Sequence, residues 1–163
     1  MEFQRQVSRT LDTEHRSNLE LLGRVELAFA RAPRQGAASD PELVKICAAF
    51  GRMISEDIGR HFDFEEQQLF PLMNESGEGD IAELLIEEHD AIREVAAEIL
   101  PLTQAAAKGS LDDAGFEALK RGALEMVERQ VAHIQKETMA LLPLLDDLLD
   151  EDTDQELVLA YAS

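Results

Sequence analysis

Tryptophan is absent from this 163-residue chain, tyrosine and cysteine occur once each, and histidine occurs only four times. A single cysteine, Cys47, cannot close an internal disulfide or ligate an iron–sulfur cluster by itself. A thiol-linked dimer stays open to it, but a small buried apolar residue is the simpler role. Glycine and proline are few, whereas alanine, leucine, glutamate and arginine abound, and this balance favours an all-helical protein. Positive charge is also scarce: 15 Lys and Arg stand against 34 Asp and Glu, for a net charge of −19. Such a chain repels nucleic-acid phosphates and anionic membrane surfaces and attracts cations. Its N-terminus, Met1 to Arg5, has no apolar signal core. No apolar run approaches the roughly 18 residues a membrane span needs. We therefore expect a cytoplasmic protein. No nucleophile triad, phosphate-binding glycine loop or basic patch is found.

What is present is helical periodicity, broken by turn signals at three places. The apolar spacing predicts a first helix from Gln4 to Ala32, ended by Pro33, with Val7, Leu11, His15, Leu22, Val25 and Phe29 on one stripe. A loop over Arg34–Asp40 follows. Asp40 is placed to cap a second helix, with Pro41 at its first position, running to about Met73. Asn74–Asp80 reads as a turn, Asp80–Ala107 as the third helix, and Lys108-Gly109-Ser110 as the next turn. The fourth helix is expected over Asp112–Leu149. Pro71, Pro101 and Pro143 are expected to kink or end their helices. Residues 1–149 would thus form a four-helix bundle. The acidic stretch Asp150–Asp154 would be a linker or cap, and Gln155–Tyr161 a short helix on the same domain. Phe3, Leu43 and Val158 offer apolar surface through which a monomer could become a homodimer.

The histidines fall in two copies of one pattern. His61…Glu65 is followed by Leu69-Phe70-Pro71-Leu72, and His133…Glu137 by Leu141-Leu142-Pro143-Leu144, at a constant offset of 72. Glu14-His15 and Glu88-His89 correspond at an offset of 74. Short connections make consecutive helices antiparallel, so residues equidistant from a turn share one level. The midpoints between successive histidines fall at residues 38, 75 and 111, each at a predicted turn. All four rings are therefore expected at one height of an up-down-up-down bundle. Each glutamate follows its histidine by four positions, a rotation of about 40° and a rise of about 6 Å, so both side chains point to one place. Ile54, Ile58, His61, Glu65 and Leu69 would share the inner side of the second helix. Met53, Met126 and Met139 are expected in the core.

A His–Glu pair at this spacing is commonly a surface ion pair worth a few tenths of a kcal/mol. Four imidazoles and two carboxylates converging in one core are different. Without cations the buried carboxylates would repel and lose solvation, at a cost of several kcal/mol. His15, His61, Glu65, His89, His133 and Glu137 are therefore candidate metal ligands. Imidazole and carboxylate suit iron, manganese, zinc or copper. The set exceeds one tetrahedral zinc and fits two ions, each with two histidines, bridged by the glutamates and by an oxide or hydroxide. That arrangement leaves a position for dioxygen, nitric oxide or peroxide. A ferritin-like site needs Glu-x-x-His on two helices. Ile58, Ile86 and Gln130 stand three residues before His61, His89 and His133, and only Asp12 before His15 comes near, so that reading fails.

On these motifs the chain resembles the hemerythrin-like proteins of the HHE cation-binding family, over about residues 4 to 148. The resemblance implies a four-helix bundle with a non-heme di-iron centre, manganese or zinc being substitutes. His15 and His61 would hold one iron, His89 and His133 the other, and Glu65 and Glu137 would bridge them. Hemerythrins proper carry a fifth histidine one helical turn from another on the third helix. Leu85 and Arg93 stand at that spacing from His89, which argues against simple reversible oxygen carriage. The ligand set is closer to bacterial members linked to iron–sulfur cluster repair or to iron and oxygen sensing. The repair proteins also carry a cysteine-bearing N-terminal region that this chain lacks. The expected function is binding or sensing of dioxygen or nitric oxide. The alternatives are di-iron catalysis on peroxide or nitric oxide, or iron donation in cluster repair. Glu14 and Glu88 are expected on the surface or as acceptors behind the ligands, and Glu66 as a substitute ligand at most. Arg93 is expected in surface pairs with Glu88 or Glu94, or as a cation near the site. Tyr161 has no expected redox role.

Overall fold

Helix α1 (Gln6–Ala30) starts without a capping side chain of its own. The free N–H groups of its first turn are met from the far end of the chain instead. Asp146 accepts from Gln4 N and Arg5 N at 3.0 and 2.7 Å, and Asp154 accepts from Gln6 N and Val7 N at 2.8 and 2.9 Å. Two carboxylates at a helix N-terminus satisfy its orphan donors and its dipole together. These contacts bind the C-terminal segment to the first helix. The computed structural model describes residues 2–163, so Met1, where the expected bundle begins, lies outside the described residues.

The second rod begins as expected: Asp40 accepts from Glu42 N, and Pro41 opens α2 (Pro41–Glu56). It continues through a π-turn (Asp57–His61), α3 (Phe62–Phe64), a second π-turn (Glu65–Leu69) and α4 (Phe70–Glu75). Gly77, at φ 88°, turns the chain into α5 (Gly79–Ala107). Pro101 lies inside α5 and does not end it. Gly109, at φ 70°, supplies the next turn, and Asp112 caps α6 (Asp113–Lys136) by accepting from Gly115 N at 2.7 Å. A π-turn (Glu137–Leu141) leads into α7 (Leu142–Leu148). Of the acidic stretch expected as a linker or cap, Asp150 caps α8 (Glu151–Ala162) and the rest forms that helix's first turn.

The four rods form a closed ring of neighbours, with α1 against α2, α2 against α5, α5 against α6 and α6 against α1. This is an all-α, up-down-up-down bundle, and α8 lies along α1. No strand occurs among the described residues, and no helix there is long and apolar enough to cross a membrane. The apolar interior is divided in two. One cluster gathers Leu22, Phe29, Phe50, Phe62, Ile99 and Met126, and the other Leu11, Leu69, Phe70, Leu85, Leu141 and Tyr161. A polar layer of histidine and glutamate lies between them. Each large side chain fully buried on either side contributes about 1.5–3 kcal/mol, which offsets the cost of desolvating that layer.

Several surface expectations are overturned. Phe3 and Leu43 are buried, so the apolar patch proposed for a homodimer loses two of its three members. Met53 and Met126 are in the core, but Met139 is 79 % exposed, because two residues after the inward-facing Glu137 a helix points to the opposite face. Cys47 is fully buried, which leaves no thiol free for an intermolecular disulfide, and burial pushes the thiol up to about 11.

Candidate metal centre

The repeated Leu-Phe/Leu-Pro segments explain part of the local backbone. A proline ring inside an α-helix meets the carbonyl four residues back. Ahead of Pro71 and Pro143 the turn is widened: Phe70 N–H reaches Glu65 O, and Leu142 N–H reaches Glu137 O, five residues back. The widening gives the ring room without breaking the rod. It starts in each case at the glutamate of the His…Glu pair, so proline, π-turn and carboxylate form one unit. Single π-turns of this kind recur at functional sites. The other π-turn, Asp57–His61, carries no proline. Asp57 is buried there and Ile58, expected inside, is only partly buried; Asp57 follows Ile54 by three residues and precedes His61 by four, so helical spacing serves it as well as Ile58.

The six candidate residues converge. His15, His61, Glu65 and Glu137 each offer a ligand atom, and these atoms lie within 4.8 Å of one another. Glu65, His89, His133 and Glu137 do the same, so the two groups share both carboxylates. All six residues are 4 % exposed or less. The Nε2 edge of every ring faces this centre. His15 Nε2 lies 3.3 Å and His133 Nε2 3.2 Å from Glu137 Oε1, while His61 Nε2 lies 3.1 Å from Glu65 Oε2 and His89 Nε2 3.1 Å from Glu65 Oε1. His15 Nε2, Glu65 Oε1 and Glu137 Oε2 are buried without any hydrogen-bond partner. Orphaned buried polar atoms of this sort are rare in proteins. Here they lie together, and all are metal-ligating types.

The outer edge of each ring is held separately. Nδ1 of His61 faces Glu14 Oε2 at 3.2 Å, that of His89 faces Glu66 Oε2 at 2.8 Å, and that of His133 faces Glu88 Oε1 at 2.8 Å. His15 Nδ1 meets Thr138 Oγ1 at 3.0 Å. An acceptor on Nδ1 places the proton there and turns the Nε2 lone pair inward, the tautomer a metal needs. Each of the three carboxylates is steadied in turn. Arg93 donates to Glu66 at 2.6 Å, Lys136 donates to Glu88, and the Tyr161 hydroxyl donates to Glu14. Arg93 also pairs with Asp90 and Asp63; of its two expected places, the pairs with Glu88 or Glu94 are not made, and it stands as a cation near the site, behind Glu66. Glu66 reaches the outside of His89 and has no place among the inner ligand atoms. Phe62 stacks on His89 at 3.8 Å between ring centroids and fixes that ring's plane.

The electrostatics follow from burying this many charges together. Burial opposes a charged His133, but Glu137, Glu88 and Glu65 overcome it and push the imidazole up to about 10. His61 is likewise raised well above its usual range, burial being outweighed by Glu65, Glu14 and Glu137. Burial would raise Glu137, yet His133 and His15 bring it well below the usual carboxylate range. Protons on imidazole thus supply the positive charge that the buried carboxylates demand.

Sequence reasoning missed two neighbours of the centre. Asp57 accepts from Asn18 Nδ2 at 3.1 Å and from Gln130 Nε2 at 3.5 Å, and burial pushes its carboxyl up to about 6. Tyr161 reaches His61 Nδ1 at 3.2 Å, although it lies 100 residues further along the chain. A cleft of about 800 Å³ opens beside these groups, with Glu14, Asn18, Asp57, His61 and Tyr161 in its lining. The ionisable character of Asp57 at a helical position was a visible signal. The Tyr161 contact had none, because it depends on how α8 docks.

Fold and geometry together define a helical bundle whose interior carries a histidine–carboxylate cluster suited to cations. The family model described as Hemerythrin HHE cation binding domain matches residues 6–145, and the chain belongs to that family. Comparison with curated proteins finds no match. The matched span contains all six converging residues and ends before α8.

Proposed function

We propose that the protein is a non-heme di-iron protein that binds or senses a small diatomic ligand, dioxygen or nitric oxide. His15 and His61 would hold one iron, His89 and His133 the other, with Glu65 and Glu137 bridging. The observation that carries this reading is the set of four Nε2 atoms turned onto two shared carboxylates that keep buried, unpartnered atoms. Iron held by these residues would supply a redox-active cation able to take a small ligand. The chain orients the imidazoles from behind, excludes bulk water with two apolar clusters and neutralises cationic charge with the two glutamates. Manganese and zinc fit the same donors. With no apolar span among the described residues, a cytoplasmic setting accords with this reading. Mixing the reduced, iron-loaded protein with dioxygen and with nitric oxide tests it. A change in the visible absorption with either gas is expected, and an unchanged spectrum with both overturns it.

A second reading, turnover of peroxide, is favoured by the cleft beside His61, whose polar lining of Asn18 and Asp57 suits a hydrogen-bonding ligand better than a diatomic one. Steady-state peroxide loss that disappears in His61→Ala supports it, and equal rates in metal-free protein exclude it.

A further inference from the structure

The three carboxylates behind the histidines are not held alike. Behind His89 and His133 stand Glu66–Arg93 and Glu88–Lys136, ion pairs made within the four rods. Behind His61 stands Glu14, whose side chain is 37 % exposed and has no Lys or Arg ion pair. Its steadying contact is the hydroxyl of Tyr161 on α8, and that same hydroxyl also reaches His61 Nδ1. The remaining histidine of this half, His15, has only the Thr138 hydroxyl behind it.

Tyr161 is itself held firmly. It is 7 % exposed, packs on Phe64 at 4.6 Å between centroids, and lies under the Arg60 guanidinium at 4.5 Å. Arg60 also donates to Tyr161 O at 3.0 Å. At the other end of α8, Asp154 caps the backbone of α1. The helix is thus clamped at both ends, and its docking delivers one hydroxyl to one half of the centre. Tyr161 and Asp154, the two α8 residues that make these contacts, lie beyond the span that matches the family.

We infer that Tyr161 is a positioning residue for His61, and that docking of α8 sets the metal affinity of the His15–His61 half of the centre alone. This rests on the two-metal reading above. Groups behind a ligating histidine fix its ring and its basicity, and removing one typically weakens metal binding about 10–100-fold. Loss of the hydroxyl removes support from His61 but leaves Glu66–Arg93 and Glu88–Lys136 intact.

The chain offers a built-in reporter, since it has one tyrosine and no tryptophan. Zinc, which is spectroscopically silent, is titrated into the metal-free full chain while near-ultraviolet absorbance is followed. Tyrosine absorbance should change with one of two uptake steps and stay flat in the other. In Tyr161→Phe, which keeps the ring contacts, affinity for one ion should fall at least about tenfold while the other is unchanged. The metal-free variant should melt where the metal-free parent does. Asp154→Ala, which frees α8 by another route, should weaken the same step. Unchanged affinities in Tyr161→Phe, equal weakening of both steps, or a tyrosine signal indifferent to zinc each overturn the inference. A parent chain that takes up no zinc or iron overturns the two-metal reading itself.

Discussion

The Nε2 atoms of His89 and His133 stand 3.1 Å apart in the interior of the bundle. With the Nδ1 protons of both rings held against Glu66 and Glu88, two Nε2 lone pairs would meet at that distance unless a positive charge lies between or beside them. In the metal-free chain a proton on His133 serves, which agrees with its imidazole being held up to about 10. A metal ion would take over that role, so protons and metal compete for the same atoms.

The competition has a definite sign. His61 and His133 have folded-state values above the ordinary 6.5. Their contribution to stability is complete below about 6.5 and is lost as pH rises toward about 10. The metal-free chain should therefore melt at lower temperature at pH ~10 than at pH ~7, whereas zinc affinity should rise over the same interval. Thermal melts and zinc titrations across this range check both directions. Proton release on zinc uptake near neutral pH should show as a buffer-dependent heat.

Glu137→Gln removes the largest of the carboxylate charges that hold the His133 imidazolium, leaving Glu88 and Glu65. Breaking a buried pair in this way costs about 3–5 kcal/mol, so the metal-free variant should unfold at clearly lower urea. Zinc capacity should fall as well, because the carboxylate is shared by both groups. An unchanged urea midpoint would show that the pair carries no such energy.

Asp57→Asn should act the other way. Burial raises Asp57 to about 6 from an ordinary 3.8, so its folded form disfavours the charge. Stability is lost as pH rises from about 3.8 to about 6 and stays lost above that range. A neutral amide removes the penalty and can donate to Gln130 Oε1, which now has no partner. The metal-free variant should gain about 1–3 kcal/mol at neutral pH and lose the slope between pH ~4 and ~6. Urea unfolding at two pH values measures it.

Gly122 lies where α6 crosses close to α5. A methyl group there would stand 2.2 Å from Ile99 Cγ2, and the β-branched isoleucine has little rotamer freedom to withdraw. Gly122→Ala should destabilise by about 1–3 kcal/mol despite the better helix propensity of alanine. Unfolding in urea decides the sign.

The rods and the common level of the histidines were legible because they follow from turn positions and antiparallel geometry. The midpoints at residues 38, 75 and 111 need no tertiary knowledge. The π-turns were not legible. One extra residue in a turn leaves the apolar pattern nearly intact, so the sequence carries no mark of where the helix widens. Pro101 sits within a helix that neighbouring rods hold in place, so local propensity is overridden there. Tyr161 was invisible for a different reason: its partners Glu14 and His61 lie 147 and 100 residues away, joined only through the docking of α8.

Metal content measures the central claim most directly. The full chain is reconstituted anaerobically with ferrous iron, freed of unbound metal and analysed for iron per polypeptide. Two irons per chain are expected, falling in His61→Ala and in His133→Ala. No retained iron, or the same retention in both variants as in the parent chain, would contradict a di-iron centre built from these histidines and glutamates.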